Sequence, residues 1–265
     1  MIKKTLSAAL VSTMLLSTAA YAQTEAPREK EPRRVRVGLG AQVTPKFTGA
    51  EDLRVGPYWD VDLTRGDDPF PFEAPDEGVG FPLIRASGFE AGPTGNLEGS
   101  RRRKDIGANM DEVGVSVEVG AFAQYWLAPA LRLRVEGRKG VTGHKAWVAS
   151  AGADFVMRDG DKYVFSIGPR VSWSDRKYQT AYFGVNPREA AATGLPGYRP
   201  GSGIHAVGAA AGLTYSLNER WGVMGYAKYD RLTGDAADSP FIRTYGKRDQ
   251  LSGGLGLTYT FGGSR

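Results

Sequence analysis

Hydrophobic residues recur at every second position along most of the chain. Val35, Val37, Leu39, Ala41 and Val43 alternate with Arg36, Gly38, Gly40 and Gln42. The same period of two covers 55–63, 113–124, 131–138, 147–155, 163–174, 207–216, 221–230 and 250–261, which makes nine runs. Successive side chains of a β-strand point to opposite faces, so this period predicts strands with one apolar face. Runs of about 9–11 residues are long enough to cross a bilayer as tilted strands. Ser87 to Gly95 predicts a tenth. A hairpin from Phe70–Glu73 and Val79–Ile84 brings the number to twelve, although Pro69, Pro71, Pro75 and Pro82 remove donors there. With both chain ends on one side of a membrane the number is even, so the expectation is about twelve strands, with ten as the alternative.

The charges within the runs keep to the face opposite the apolar one. They are Arg36, Asp60, Asp62, Glu118, Arg132, Arg134, Glu136, Arg138, Asp154, Arg170, Lys228 and Asp230. A soluble sandwich would bury the apolar face and wet the charged one. A transmembrane barrel turns the apolar face to lipid and the charges to its lumen. Connection lengths favour the barrel, because short links (Leu127–Ala130, Arg158–Lys162, Asn218–Arg220) alternate with long ones (Asn96–Glu112, Arg176–Gly203, Leu232–Asp249), apart from one moderate link at Lys139–Lys145. Short periplasmic turns and long outer loops give that order. Aromatic residues near span ends, among them Tyr125, Trp126, Trp147, Trp173, Trp221 and Tyr259, suit interfacial girdles. The last run ends at Phe261, like the terminal assembly signal of outer-membrane barrels, with four residues beyond it. The expected class is therefore an all-β, antiparallel, up-and-down transmembrane barrel whose lumen is lined by the twelve charged residues. Arginine placed at Val117 is expected to harm insertion, and at Ser116 to be tolerated.

Composition adds limits. Mean hydropathy is -0.33, which excludes a bundle of membrane helices but not a barrel. Cysteine is absent and there are 2 histidines, His144 and His205, so disulfides, thiol chemistry and a zinc site are not expected. Lys3 and Lys4, the apolar stretch from Leu6 to Ala19 and Ala20-Tyr21-Ala22 read as a signal peptide over 1–22. Residues 23–34 read as a flexible periplasmic lead-in, 35–261 as the barrel and 262–265 as a short tail. The formal net charge of +5 falls once Lys3 and Lys4 are removed, so nucleic acid is not an expected partner. Arg101, Arg102, Arg103 and Lys104 suit either lipopolysaccharide phosphates or a solvated loop. Asp235, Asp238 and Ser239 suit a turn before Pro240 better than calcium. Neither a nucleophile elbow nor a dinucleotide loop is present, and no cofactor or catalytic residue is expected.

Two loop segments, YFGVNPREAAATGLPGY (Tyr182 to Tyr198) and YDRLTGDAADSPFI (Tyr229 to Ile242), resemble the MipA/OmpV family of outer-membrane proteins. VGVSVEVGAFAQYW (Val113 to Trp126), RKGVTGH (Arg138 to His144) and GPRVSW (Gly168 to Trp173) are weaker matches. The resemblance implies a non-enzymatic barrel in the outer membrane of a Gram-negative bacterium, in contact with its lipid and lipopolysaccharide. It also implies a scaffold between a murein hydrolase and a murein synthase. A small-solute channel and adhesion through the outer loops are the alternatives. Equal numbers of acids and bases on the lumen face favour internal ion pairs over a selective pore. The loops Arg176–Gly203 and Leu232–Asp249 are expected to cap the mouth with fixed turns. Tyr182, Phe183 and Tyr198 would supply its apolar part, and Arg188–Glu189 and Arg231–Asp235 its ion pairs.

Overall fold

The computed structural model describes residues 32–262. The expected signal peptide, most of the lead-in and residues 263–265 lie outside the described residues. The chain opens with β1 (Arg33–Pro45) and β2 (Leu53–Arg65), then makes two short strands, β3 (Val79–Gly80) and β4 (Ile84–Ala86). There follow β5 (Phe89–Glu98), β6 (Ser116–Ala128), β7 (Leu131–Gly140), β8 (Trp147–Asp159), β9 (Tyr163–Ser174), β10 (Gly203–Ser216), β11 (Trp221–Leu232) and β12 (Asp249–Phe261). Five short helices interrupt the long loops: α1 (Arg103–Ile106), α2 (Arg176–Phe183), α3 (Pro187–Thr193), α4 (Gly234–Asp238) and α5 (Pro240–Tyr245).

All twelve strands join one antiparallel, curled sheet in the order β2-β1-β12-β11-β10-β9-β8-β7-β6-β5-β3, with β4 also on β5. The first and last long strands pair directly, from Val35 opposite Phe261 to Val43 opposite Gly253. The free edges are β2 on one side and β3, β4 and the last residues of β5, 96–98, on the other. One cavity of about 840 Å3 has Trp59, Val61 and Leu63 of β2 on one bank and Leu97 of β5 with Val117 and Val119 of β6 on the other. The expected hairpin is half right. Val79 to Ile84 lies against β5, but Phe70–Glu73 is not a strand. Residues 67–78 instead turn up into the lumen.

The outward face is an apolar belt. Leu255 on β12 is 77 % exposed, Val55 on β2 76 % and Leu39 on β1 67 %, while Arg36 on β1 and Asp62 on β2 are buried. So much continuous apolar surface is untenable in water and is what a bilayer requires. Trp147, Trp173, Trp221 and Phe261 stand on this outer surface. Trp126 does not, because it falls in phase with the inward-facing Glu118, Phe122 and Gln124 of β6 and its ring meets Phe72, ring centroids 6.0 Å apart. None of the helices among the described residues is long and apolar enough to cross a membrane.

Ser116 is fully buried and its hydroxyl accepts the His144 backbone N–H at 3.1 Å, so arginine there would break the loop packing instead of being tolerated. A cleaner test uses Val135, mid-way along β7 and 53 % exposed. Val135→Arg is expected to cost roughly 2–4 kcal/mol of insertion free energy, and Val135→Leu almost nothing. The fraction of heat-modifiable protein on a detergent gel measures this.

Candidate functional site: a plugged and capped lumen

The segment after β2 lacks the donors a strand needs. Pro69, Pro71 and Pro75 carry no N–H, so this stretch has few backbone groups to satisfy away from a ladder. Side chains of the wall satisfy those that remain. Arg34 Nη2 donates to the Asp68 carbonyl (2.6 Å) and Arg158 Nη2 to that of Phe70 (3.0 Å), while the Phe70 N–H donates to Asp161 Oδ1 (2.9 Å). Phe70 is buried beneath the guanidinium groups of Arg34 and Arg36, 5.0 and 4.4 Å from its ring centroid. Phe72 lies 4.4 Å from the Arg132 guanidinium. Gly212 on β10 leaves room for Pro75, since a Cβ there would sit 3.1 Å from the proline ring.

The plug's acids meet the wall's bases. Asp76 pairs with Arg170 (3.0 Å) and Lys228 (3.3 Å). Glu77 pairs with Arg132 at very short range and with Arg134 at 3.5 Å. The wall acids hold the same cations from behind. Asp154 bridges Arg132 and Arg170 at 2.6 Å each, Glu136 bridges Arg134 (2.6 Å) and Arg138, and Asp230 holds Lys228 at 3.1 Å. Arg36 and Asp62 pair across β1 and β2 at 2.6 Å. Of the twelve charged residues picked from the sequence, Arg36, Asp62, Glu118, Arg132, Arg134, Glu136, Asp154 and Arg170 are buried. Asp60, Arg138, Lys228 and Asp230 are partly so. Asp76 and Glu77 were not among them. Their signal was only that 67–80 is rich in proline and acid and breaks the period of two.

At the opposite rim five loops converge. Phe47 from 46–52, Met110 from 99–115, Ala146 from 141–146, Tyr182 from 175–202 and Phe241 from 233–248 belong to one buried cluster. This is the main hydrophobic core of the molecule, and it roofs the sheet. Short helices with good caps flank the expected turns, α3 ending at Gly194 and α5 starting after Ser239. Asn186 accepts from the Arg188 and Glu189 N–H groups while Glu189 accepts from Asn186, a capping box with Pro187 in the first turn. Ser239 accepts from the Ile242 N–H and donates to the Phe183 carbonyl at 2.6 Å, and Asp235 accepts the Gly201 N–H at 2.6 Å. Arg188 pairs with Asp111 (2.6 Å) and Arg231 with Asp249 (2.7 Å), not with Glu189 and Asp235, because the nearer carboxylates face other groups. Tyr182 and Phe183 are fully buried in the roof, whereas Tyr198 is only partly so.

Arg101 is also in the roof. It is 2 % exposed and donates to the Tyr182 (3.0 Å) and Asp111 (2.7 Å) carbonyls. Burial pulls its guanidinium below the usual value, with Glu189 opposing. This corrects the reading of 101–104 as one exposed basic run.

Below the roof, Glu98, Glu118 and His144 bring their ligand atoms within 4.8 Å of one another. Gly143, at φ +60 and tight against Ser116, sets the turn that delivers His144. Both histidines are buried, not at the surface. The His144 Nδ1 accepts the Ala146 N–H at 3.0 Å, so its proton sits on Nε2, 2.9 Å from Glu118 Oε1. A metal on Nε2 would have to displace that proton towards a nitrogen already facing an N–H donor. Glu118 is further held by Arg138 (2.9 Å) and Asn96 (3.0 Å). Tyr178 donates to Glu98 at 2.8 Å, and burial, then the Glu98 charge, pushes its hydroxyl well above the usual value. The group is a hydrogen-bonded clasp from wall to roof.

A curled antiparallel sheet with an outward apolar belt, an ion-paired interior and long-loop roof defines a transmembrane β-barrel protein of the outer-membrane type. Residues 37–261 match the family of the MltA-interacting protein MipA, and the chain belongs to that family. MltA-interacting proteins of Escherichia coli (strain K12) and Shigella flexneri are each 32% identical to it over 97 residues, 36% of this chain. The match spans about a third, 36%, of the length of these relatives. Among solved structures, it is similar to an outer membrane channel from Pseudomonas putida F1 (TM-score 0.44, 11% identity, covering 89% of this chain and 99% of that one). It is also similar to the KdgM porin (TM-score 0.37, 10% identity, covering 87% and 99%).

Proposed function

We propose that this protein is a sealed, non-enzymatic outer-membrane barrel that offers its short-turn rim to a murein-processing enzyme. The observation that carries the sealed state is the 67–78 segment, ion-paired across the lumen beneath a packed roof. A lumen crossed by such a plug and covered by such a roof suits interaction better than transport. The choice of partner rests on the relatives, which are named for interaction with MltA. The turns at 129–130, 160–162 and 217–220 are short, so the docking surface would include residues 66–68 and the lead-in. In planar bilayers the unaltered protein is expected to give no open-channel steps. Immobilised in detergent micelles, it is expected to retain a purified MltA-type lytic transglycosylase. Regular conductance steps would overturn the sealed barrel, and failure to retain the enzyme would overturn the platform.

A further inference from the structure

The plug holds its place through two adjacent carboxylates, and the surface that receives them is more specialised than a seal requires. Arg132, Arg134 and Arg170 are buried, and Lys228 is partly buried. These four cations converge on Asp76 and Glu77 from three neighbouring regions of the wall, namely β7, β9 and β11. Both plug acids are held by two cations each. Arg170 meets Asp76 through Nε at 3.0 Å to each carboxylate oxygen. The wall acids Asp154, Glu136 and Asp230 fix the cations from the other side, so the guanidinium planes are already oriented. Without the plug, four cations would face three wall acids. A further cavity of about 90 Å3 adjoins the pair, lined by Arg134, Arg138, Arg170 and Lys228 together with both carboxylates. That is room for about three waters beside the carboxylates.

We propose that this cradle is a binding site for small organic anions with two or more carboxylates, and that Asp76 and Glu77 are its tethered stand-in. The chemistry is that of forked N–H donors meeting planar carboxylates in a site shielded from bulk water, where charge-assisted bonds are strong. The tether is suited to exchange. Among the described residues, the plug's backbone-to-backbone bonds from 67 to 78 are Asp68 to Arg65 and Glu77 to Ala74, both local. Its hold on the wall therefore runs through side chains, and neutralising Asp76 and Glu77 removes its carboxylate contacts with the four cradle cations. This inference does not depend on the platform reading, since a protein can dock an enzyme at its rim with or without an anion in its lumen.

Citrate is the probe. In the double variant D76N/E77Q the cradle loses its stand-in. Citrate is expected to raise its thermal unfolding temperature in detergent, saturably, and to act on the unaltered protein only at higher concentration, because there it must displace the tethered carboxylates. Adding Arg170→Gln to the double variant is expected to weaken citrate binding about tenfold, by loss of one charge-assisted carboxylate contact. If the double variant fails to fold unaided, citrate in the refolding buffer is expected to restore its heat-modifiable form. Stabilisation equalled by sodium chloride at matched ionic strength would mean plain screening and would overturn the site. So would a folded double variant indifferent to citrate, or a misfolded one that citrate does not rescue.

Discussion

Replacing Arg132 by alanine is expected to be the most damaging single change in the lumen. The side chain is completely buried and stands between Asp154 of the wall and Glu77 of the plug. It also donates to Gln124 Oε1 at 3.2 Å and covers the ring of Phe72. Its removal leaves two buried carboxylates each short of a cation, an amide oxygen short of a donor, and a void. Breaking one side of a buried pair costs about 3–5 kcal/mol, because the partner keeps its desolvation penalty. Arg170 still serves Asp154 and Arg134 still serves Glu77, so the lower end of that range is expected. Urea unfolding in detergent, followed by tryptophan fluorescence, measures it. Arg132→Lys is expected to recover only part of the loss, since one ammonium cannot span the same acceptors. Equal stability of the alanine variant and the unaltered protein would mean that the ion-paired plug contributes nothing to the fold.

The second large effect is expected in the roof. Phe241 of α5 is fully buried, stacks on Phe47 at 6.3 Å, and lies 5.4 Å from the Arg101 guanidinium. Its contacts join the first outer loop to the last, so it closes a ring of loops that the sheet itself does not connect there. Phe241→Ala is expected to cost about 3–5 kcal/mol of local stability, as for other buried phenylalanines. The strands carry their own ladder, so the loss is expected to stay in the loops. Limited proteolysis should cut within 233–248 at least tenfold faster, while the heat-modifiable band is retained. A variant that loses the band as well would show that roof and barrel fold as one cooperative unit.

The strands were legible because a membrane barrel imposes the simplest of all patterns, an apolar residue at every second place. Arg36 beside Val35 and Val37, or Arg132 beside Leu131 and Leu133, needs no knowledge of the rest of the chain. The plug was not legible for the opposite reason. Asp76 finds Arg170 across 94 positions and Glu77 finds Arg132 across 55, and no local period records such a meeting. The prolines marked where pairing fails, but not where the failing segment goes. The roof lay between these extremes. Its aromatic residues Tyr182 and Phe183 and the loop lengths pointed to a cap. Helix signals were also present, in Asn186-Pro187 with Glu189 and in Ser239-Pro240, but helices of 7 and 6 residues are too short to show an apolar period. The ion pairs of the loops were misassigned for want of geometry, since neighbours in sequence such as Arg188 and Glu189 point to different partners on a helix.

The direct pairing of β1 with β12 bears on how the chain order relates to the shape. The two ends of the described chain lie together, with Gly262 packed tightly against the Arg33 carbonyl. The break in the ladder falls instead inside the chain, between β2 and β3, where the plug departs. Chain order and ladder order are therefore offset by two strands. A circular permutant that joins residue 262 to residue 33 by a short glycine linker and opens the chain near Gly66 would make β2 the last strand. Every ladder contact of the present sheet would be preserved in it, and the plug would become an amino-terminal arm.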